Sequence, residues 1–162
     1  AIIQALSAHV RNLTKSIYQA GLEIDDLVLG ILATTEAVTT PRQRELVIDR
    51  TCARLGCGYE WGVHATAFAA LAGFDAADLV ATATAGVAAT WAPDDALLVR
   101  MVDELVDTAR LSDTLWAALA AAFTDQQRLE LLVLCGWYHL IAFVSNGVTL
   151  PAEPWATPFP AP

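Results

Sequence analysis

Basic side chains are scarce in this sequence. Nine Lys and Arg stand against 18 Asp and Glu, a formal net charge of −9 at pH 7, and Lys15 is the only lysine. So acidic a surface repels phosphate backbones and anionic headgroups, which argues against nucleic acid or a membrane as partner. Cysteine is rare as well. Cys52, Cys57 and Cys135 form an odd set without a small-domain disulfide spacing, which points to a reducing compartment and a cytoplasmic location. No basic stretch followed by a short apolar run and a cleavage site opens the chain. Glycine-rich phosphate loops and nucleophile elbows are missing, and no dense His/Cys cluster is present, so no cofactor and no metal are expected. Runs of strand-period alternation with hairpin punctuation are also missing. The fold class read from these absences is all-α.

Apolar residues are plentiful. They make up 56% of the 162 residues, more than a lone domain of this size hides easily, which predicts a homo-oligomer with apolar interfaces. Residues 131–150 are the one long run without Asp, Glu, Lys or Arg. The run is long enough to cross a bilayer. It carries His139, Ser145 and Asn146 and lacks a basic flank, so it reads as a central core helix.

Helical periodicity and capping signals divide the chain into about seven to eight helices. Leu6, Val10, Leu13 and Ile17 mark a helix over 1–20, and Asp25 opens a second to about residue 36. Thr40-Pro41-Arg42-Gln43 is a helix start with Thr as N-cap, Pro at the first position and Gln three residues after the cap. That helix is expected to reach residue 55. Another follows over 59–71, stopped by Gly73. Asp75, Pro93, Ser112 and Thr124 open further helices to about residues 85, 109, 122 and 146. Residues 1–147 thus read as one domain. From 148 to 162 the chain is proline-rich, an extended tail suited to wrapping a neighbouring subunit.

The chemistry concentrates in residues 41–73, around Cys57-Gly-Tyr59-Glu60-Trp61-Gly-Val-His64. On a helix Cys57, Glu60, Trp61 and His64 share one face. Thiol, carboxyl and imidazole groups are costly to bury without partners or a purpose. Glu60 and His64, one turn apart, make a candidate acid–base pair whose protons move with a substrate; the plainer alternative is a satisfied pair that fixes helix packing. Cys57 is a candidate nucleophile or a small apolar filler. The helix dipole favours its thiolate by ~0.3–1 kcal/mol. A Glu60 charge roughly 5 Å away opposes that by about 3 kcal/mol at an effective dielectric of about 20. The thiol is therefore expected to stay protonated. Glu45, in the first turn of its helix, is either stabilised by the dipole or paired with an arginine.

Arg50 and Arg54, one turn apart, suit a bidentate clamp on a substrate carboxylate, or they tie helices together. Tyr59 and Trp61 are substrate stackers or core aromatics. In the last long helix Cys135, His139, Ala142 and Asn146 form a stripe with Tyr138 beside it, placing Tyr138 and His139 as candidates to line the same pocket.

Arg44-Glu45-Leu46 followed by Cys57-x-x-Glu60-x-x-x-His64, with Tyr59-Glu60-Trp61-x-x-His64 at its centre, resembles the carboxymuconolactone decarboxylase family, which includes alkylhydroperoxidase D. Gly136-Trp137-Tyr138-His139 and Asn146 resemble the closing helix of one large subgroup. The resemblance spans nearly the whole chain. It implies an alkylhydroperoxidase D-like helical bundle in trimers or hexamers. The peroxidase branch has Cys-x-x-Cys-x-x-x-His with a Glu twelve residues before the first Cys. Cys57, His64 and Glu45 match that pattern, which makes Glu45 a proton-relay member, but Glu60 stands where the second Cys belongs. The departure removes that branch's dithiol. The decarboxylase branch has a Glu four residues before the His, as Glu60 stands before His64.

The leading expectation is therefore a cofactor-independent acid–base enzyme that decarboxylates or isomerises a small carboxylate- or lactone-type substrate. A thiol-dependent hydroperoxidase using Cys57 is the first alternative. A non-catalytic oligomeric ligand-binding protein is the second, favoured if side chains close the wall at His64.

Overall fold

The computed structural model describes residues 39–160 apart from Val87 and Ala89. The helices expected over 1–20 and 25–36 lie outside the described residues. Seven α-helices and no strand occur among those described: α1 (Pro41–Arg54), α2 (Gly58–Ala67), α3 (Ala69–Ala72), α4 (Ala76–Ala83), α5 (Pro93–Thr108), α6 (Asp113–Ala122) and α7 (Asp125–Gly147). The all-α class holds.

Local chemistry starts these helices where the sequence places the signals. The Thr40 hydroxyl accepts from Gln43 N–H at 3.2 Å while the Gln43 side chain accepts from Thr40 N–H at 2.8 Å. Thr124 and Gln127 repeat the arrangement at α7, and Asp75 with Asp78 at α4. Each such box satisfies two N–H groups that the first turn leaves open. The helix expected over 59–71 is interrupted at Phe68, whose φ of −122° leaves α geometry before α3 resumes. Gly73, at φ +68°, closes α3 in the left-handed region.

α1 is the axis of the fold and packs against α2, α3, α4, α5 and α7. Glu45 through Cys52 are buried without a gap, which is the signature of a helix surrounded on all sides. Leu46, Val47 and Ile48 join Leu98, Val99, Met101 and Val102 of α5 and Leu131 and Leu134 of α7 in one core. Burial of each such side chain contributes roughly 1.5–3 kcal/mol. Among the described residues α7 is the one helix long and apolar enough to cross a membrane. Its inner side, including Leu131, Leu134, Tyr138 and Ile141, is buried, while Leu129, Val133, Leu140 and Phe143 are exposed.

The tail packs against its own chain. Over its described length it returns across α2, where Thr157 N–H donates to Thr66 Oγ1 at 2.7 Å and to the Gly62 carbonyl at 3.2 Å. Phe159 meets the Trp61 ring edge-on at 5.3 Å. Only glycine fits at position 62, because a Cβ there would lie 2.4 Å from the Thr157 carbonyl oxygen.

Candidate functional site

The site lies where α1, α2 and α7 meet. A Schellman turn joins the first two helices: Gly56 N–H donates to the Ala53 carbonyl at 3.1 Å and Cys57 N–H to the Cys52 carbonyl at 2.8 Å. Gly56 supplies the positive φ of +63° that the turn requires. The reversal points the first turn of α2 back at α1, so the buried polar residues of the two helices face each other.

His64 sits between two partners from other helices. Its Nδ1 lies 2.7 Å from Glu45 Oε2 of α1, and its Nε2 lies 2.9 Å from the Tyr138 hydroxyl of α7. Both ring nitrogens are thereby occupied, and the expected Glu60–His64 hydrogen bond is not the one that forms. The i,i+4 spacing permits that contact, but the imidazole points to α1 and α7 instead. Glu60, 2% exposed, acts on His64 through its charge. Burial alone would lower the His64 pKa; the charge and hydrogen bond of Glu45, with the charges of Glu60 and Asp49, push it up to about 9. Glu45 itself lies beyond the first turn of α1, which holds no acidic residue, so its role is set by His64 rather than by the dipole.

Two residues of the cluster escaped the sequence reading. Asp49, one turn after Glu45, is 1% exposed, and its Oδ1 has no hydrogen-bond partner. Burial pushes its carboxyl up to about 8 against the opposing pull of His64, with Glu45 adding to the rise. Cys52 follows at the next turn, its thiol in hydrogen-bonding contact with Cys57 and raised well above the usual range by burial. The spacing of Glu45, Asp49 and Cys52, four and then three residues, was the available signal for both.

The Cys57 thiol is lowered from its usual value, first by Cys52 and then by the Glu60 backbone N–H, against burial and the Glu60 charge. The balance of dipole and Glu60 carboxylate left out these donors. All three cysteines are free thiols. Cys135 accepts from Thr51 Oγ1 at 3.5 Å, away from Cys57.

The remaining candidates divide clearly. Tyr138 belongs to the site. His139, its neighbour in sequence, does not: its ring meets Phe143, which is 64% exposed, on the other side of α7. Asn146 donates to the Leu55 carbonyl at the end of α1. Arg50 is engaged within the fold. Its guanidinium grips Asp103 of α5 through two 2.8 Å bonds and donates to the Thr82 and Thr84 carbonyls. Trp61 is a core residue whose indole N–H donates to Thr82 at 2.9 Å. The Tyr59 hydroxyl donates to Glu153 of the tail at 3.1 Å. Among the described residues no group of three or more His, Cys, Asp or Glu is arranged to hold a metal ion.

The fold and the site together define an all-α protein with a buried carboxylate–imidazole–phenol relay beside a pair of thiols. No protein-family model matches this chain, and neither a curated protein nor a solved structure matches it.

Proposed function

We propose that this protein is a cofactor-independent acid–base enzyme of the carboxymuconolactone decarboxylase-like kind, acting in the cytoplasm as a homo-oligomer with an alkylhydroperoxidase D-like bundle. Its substrate in this reading is a small organic carboxylate or lactone, which it decarboxylates or isomerises. The observation that carries the proposal is the relay Glu45–His64–Tyr138. A His64 held cationic by Glu45 donates through Nε2–H to the Tyr138 oxygen. The phenol hydrogen is then turned outward, to be given to a carbonyl or carboxylate oxygen of the substrate. As carbon dioxide leaves or a double bond migrates, negative charge grows on that oxygen, and a fixed donor chain in a water-poor site stabilises it. Asp49 and Glu60 set how firmly His64 holds its proton.

The test uses the purified full chain against a panel of lactones and small carboxylates. His64→Ala and Glu45→Gln abolish turnover, Tyr138→Phe lowers kcat more than it changes KM, and size-exclusion behaviour stays that of the parent. A fully active His64→Ala protein would defeat the proposal.

A second reading has its own support. The hydrogen bonds converging on Cys57 make its sulfur the most acidic thiol of the three, which suits a thiol-dependent hydroperoxidase. Fast alkylation of Cys57 near neutral pH, falling away on acidification, separates it from the acid–base reading.

A further inference from the structure

We propose that Cys52 and Cys57 are a redox couple that closes to a disulfide across the Schellman turn when a small hydroperoxide oxidises Cys57. The inference rests on the thiol reading of Cys57 and adds its partner.

The loss of a Cys-x-x-Cys motif at position 60 does not leave Cys57 alone, because the turn supplies another thiol from the preceding helix. In a Schellman motif the residues joined by the outer hydrogen bond stand side by side, and their side chains commonly touch. Cys52 and Cys57 occupy those two places, joined by the 2.8 Å bond between their backbones. Both side chains are 0% exposed and both thiols are free. Gly56 is the residue that permits the turn. Ser145 of α7 completes the setting. The residue is 2% exposed and its buried hydroxyl has no hydrogen-bond partner, which leaves it free to steady a thiolate or a bound peroxide oxygen.

The chemistry balances with the hydroperoxide as oxidant. The Cys57 sulfur attacks one peroxide oxygen: an S–O bond forms, the O–O bond breaks, and an alcohol leaves with the thiol proton. The Cys52 sulfur then displaces the hydroxyl of the Cys57 sulfenic acid: an S–S bond forms, the S–O bond breaks, and water leaves with the Cys52 proton. Two electrons pass from the thiol pair to the peroxide. A small external dithiol restores both thiols by exchange and is itself oxidised to a disulfide. Cys57 is the sulfur that attacks the peroxide because its thiol is the more acidic of the two, and Cys52, whose thiol burial raises, is the resolving partner.

The experiment treats the reduced full chain with one equivalent of hydrogen peroxide under native conditions, blocks remaining thiols, and maps them by mass spectrometry. The expected product has lost two hydrogens, links the Cys52 and Cys57 peptides, and leaves Cys135 free. Cys52→Ser yields instead a Cys57 sulfenic acid that dimedone traps, Cys57→Ser consumes no peroxide, and Cys135→Ser behaves as the parent. If the parent itself accumulates a dimedone-trappable Cys57 without the crosslink, the couple is refuted while a reactive Cys57 survives. If neither the parent nor Cys52→Ser reacts at Cys57, the couple and the thiol reading fall together. A crosslink through Cys135 likewise overturns the proposal.

Discussion

Glu45 Oε2 and His64 Nδ1 stand 2.7 Å apart, a contact between two helices that the chain reverses to bring face to face. Glu60 lies one turn from His64 on the same helix, and it raises the His64 pKa through its charge. The nearer residue in sequence is the more distant partner in chemistry. Exchange of the two carboxyls for amides therefore has unequal consequences.

An NMR titration of the His64 ring measures that inequality. In the parent chain His64 titrates near the elevated value of about 9. Glu45→Gln removes the largest raising influences and leaves burial to dominate, so the His64 pKa drops steeply. Glu60→Gln removes a smaller one and produces a smaller drop. Equal shifts in the two variants, or a larger one in Glu60→Gln, would show that Glu45 is not the principal partner.

Asp49 gives stability a definite pH dependence. Its carboxyl is raised from 3.8 to about 8 in the fold, so between those values the folded state holds a proton that the unfolded chain has released. Stability is then fully present at the acid end and falls as pH rises toward 8, by about 1.4 kcal/mol per pH unit for one such group. His64, raised from 6.5 to about 9, adds a loss of the same sign between those two values. Urea unfolding followed from mildly acidic to mildly alkaline pH should show this decline. Asp49→Asn should flatten the part below pH 8 and raise stability near neutrality. A parent chain whose stability is level across that window rules the account out.

Arg50 is a strut, and its removal tests fold rather than function. Arg50→Ala leaves Asp103 without its bidentate partner and strands the Thr82 and Thr84 carbonyls. Asp103 keeps Arg54 at 2.7 Å, so the cost is chiefly that of the stranded carbonyls, about 1–3 kcal/mol, and the loss should appear as a lowered denaturation midpoint. A variant with parental stability but impaired substrate affinity would return Arg50 to the role of a clamp.

Much of the fold was legible because helix starts are local events. Thr40 with Gln43, Asp75 with Asp78 and Thr124 with Gln127 satisfy each other over three residues, so their spacing alone announces α1, α4 and α7. The Cys57, Glu60 and His64 face was legible for the same reason, as a matter of helical period. Asp49 and Cys52 were present at helical spacing from Glu45, but a polar residue in a helix carries no label saying that it is buried. The choice between Tyr138 and His139 was not legible either. Adjacent residues on a helix point about 100° apart, and the one that meets His64 is fixed by how α7 lies against α1.

By itself the amino-acid sequence determined that the described residues are helical, where six of the seven described helices begin, and that a thiol, a carboxyl and an imidazole share one face at the start of α2. Those outcomes follow from hydrogen bonds and side-chain periods within a few residues. Only the tertiary structure decided which groups meet: Glu45 rather than Glu60 at the imidazole, Cys52 beside Cys57, and Arg50 locked to Asp103. Partnership between buried polar groups depends on the angles at which helices pack and on the turn at Gly56, and no spacing along a single helix encodes either one.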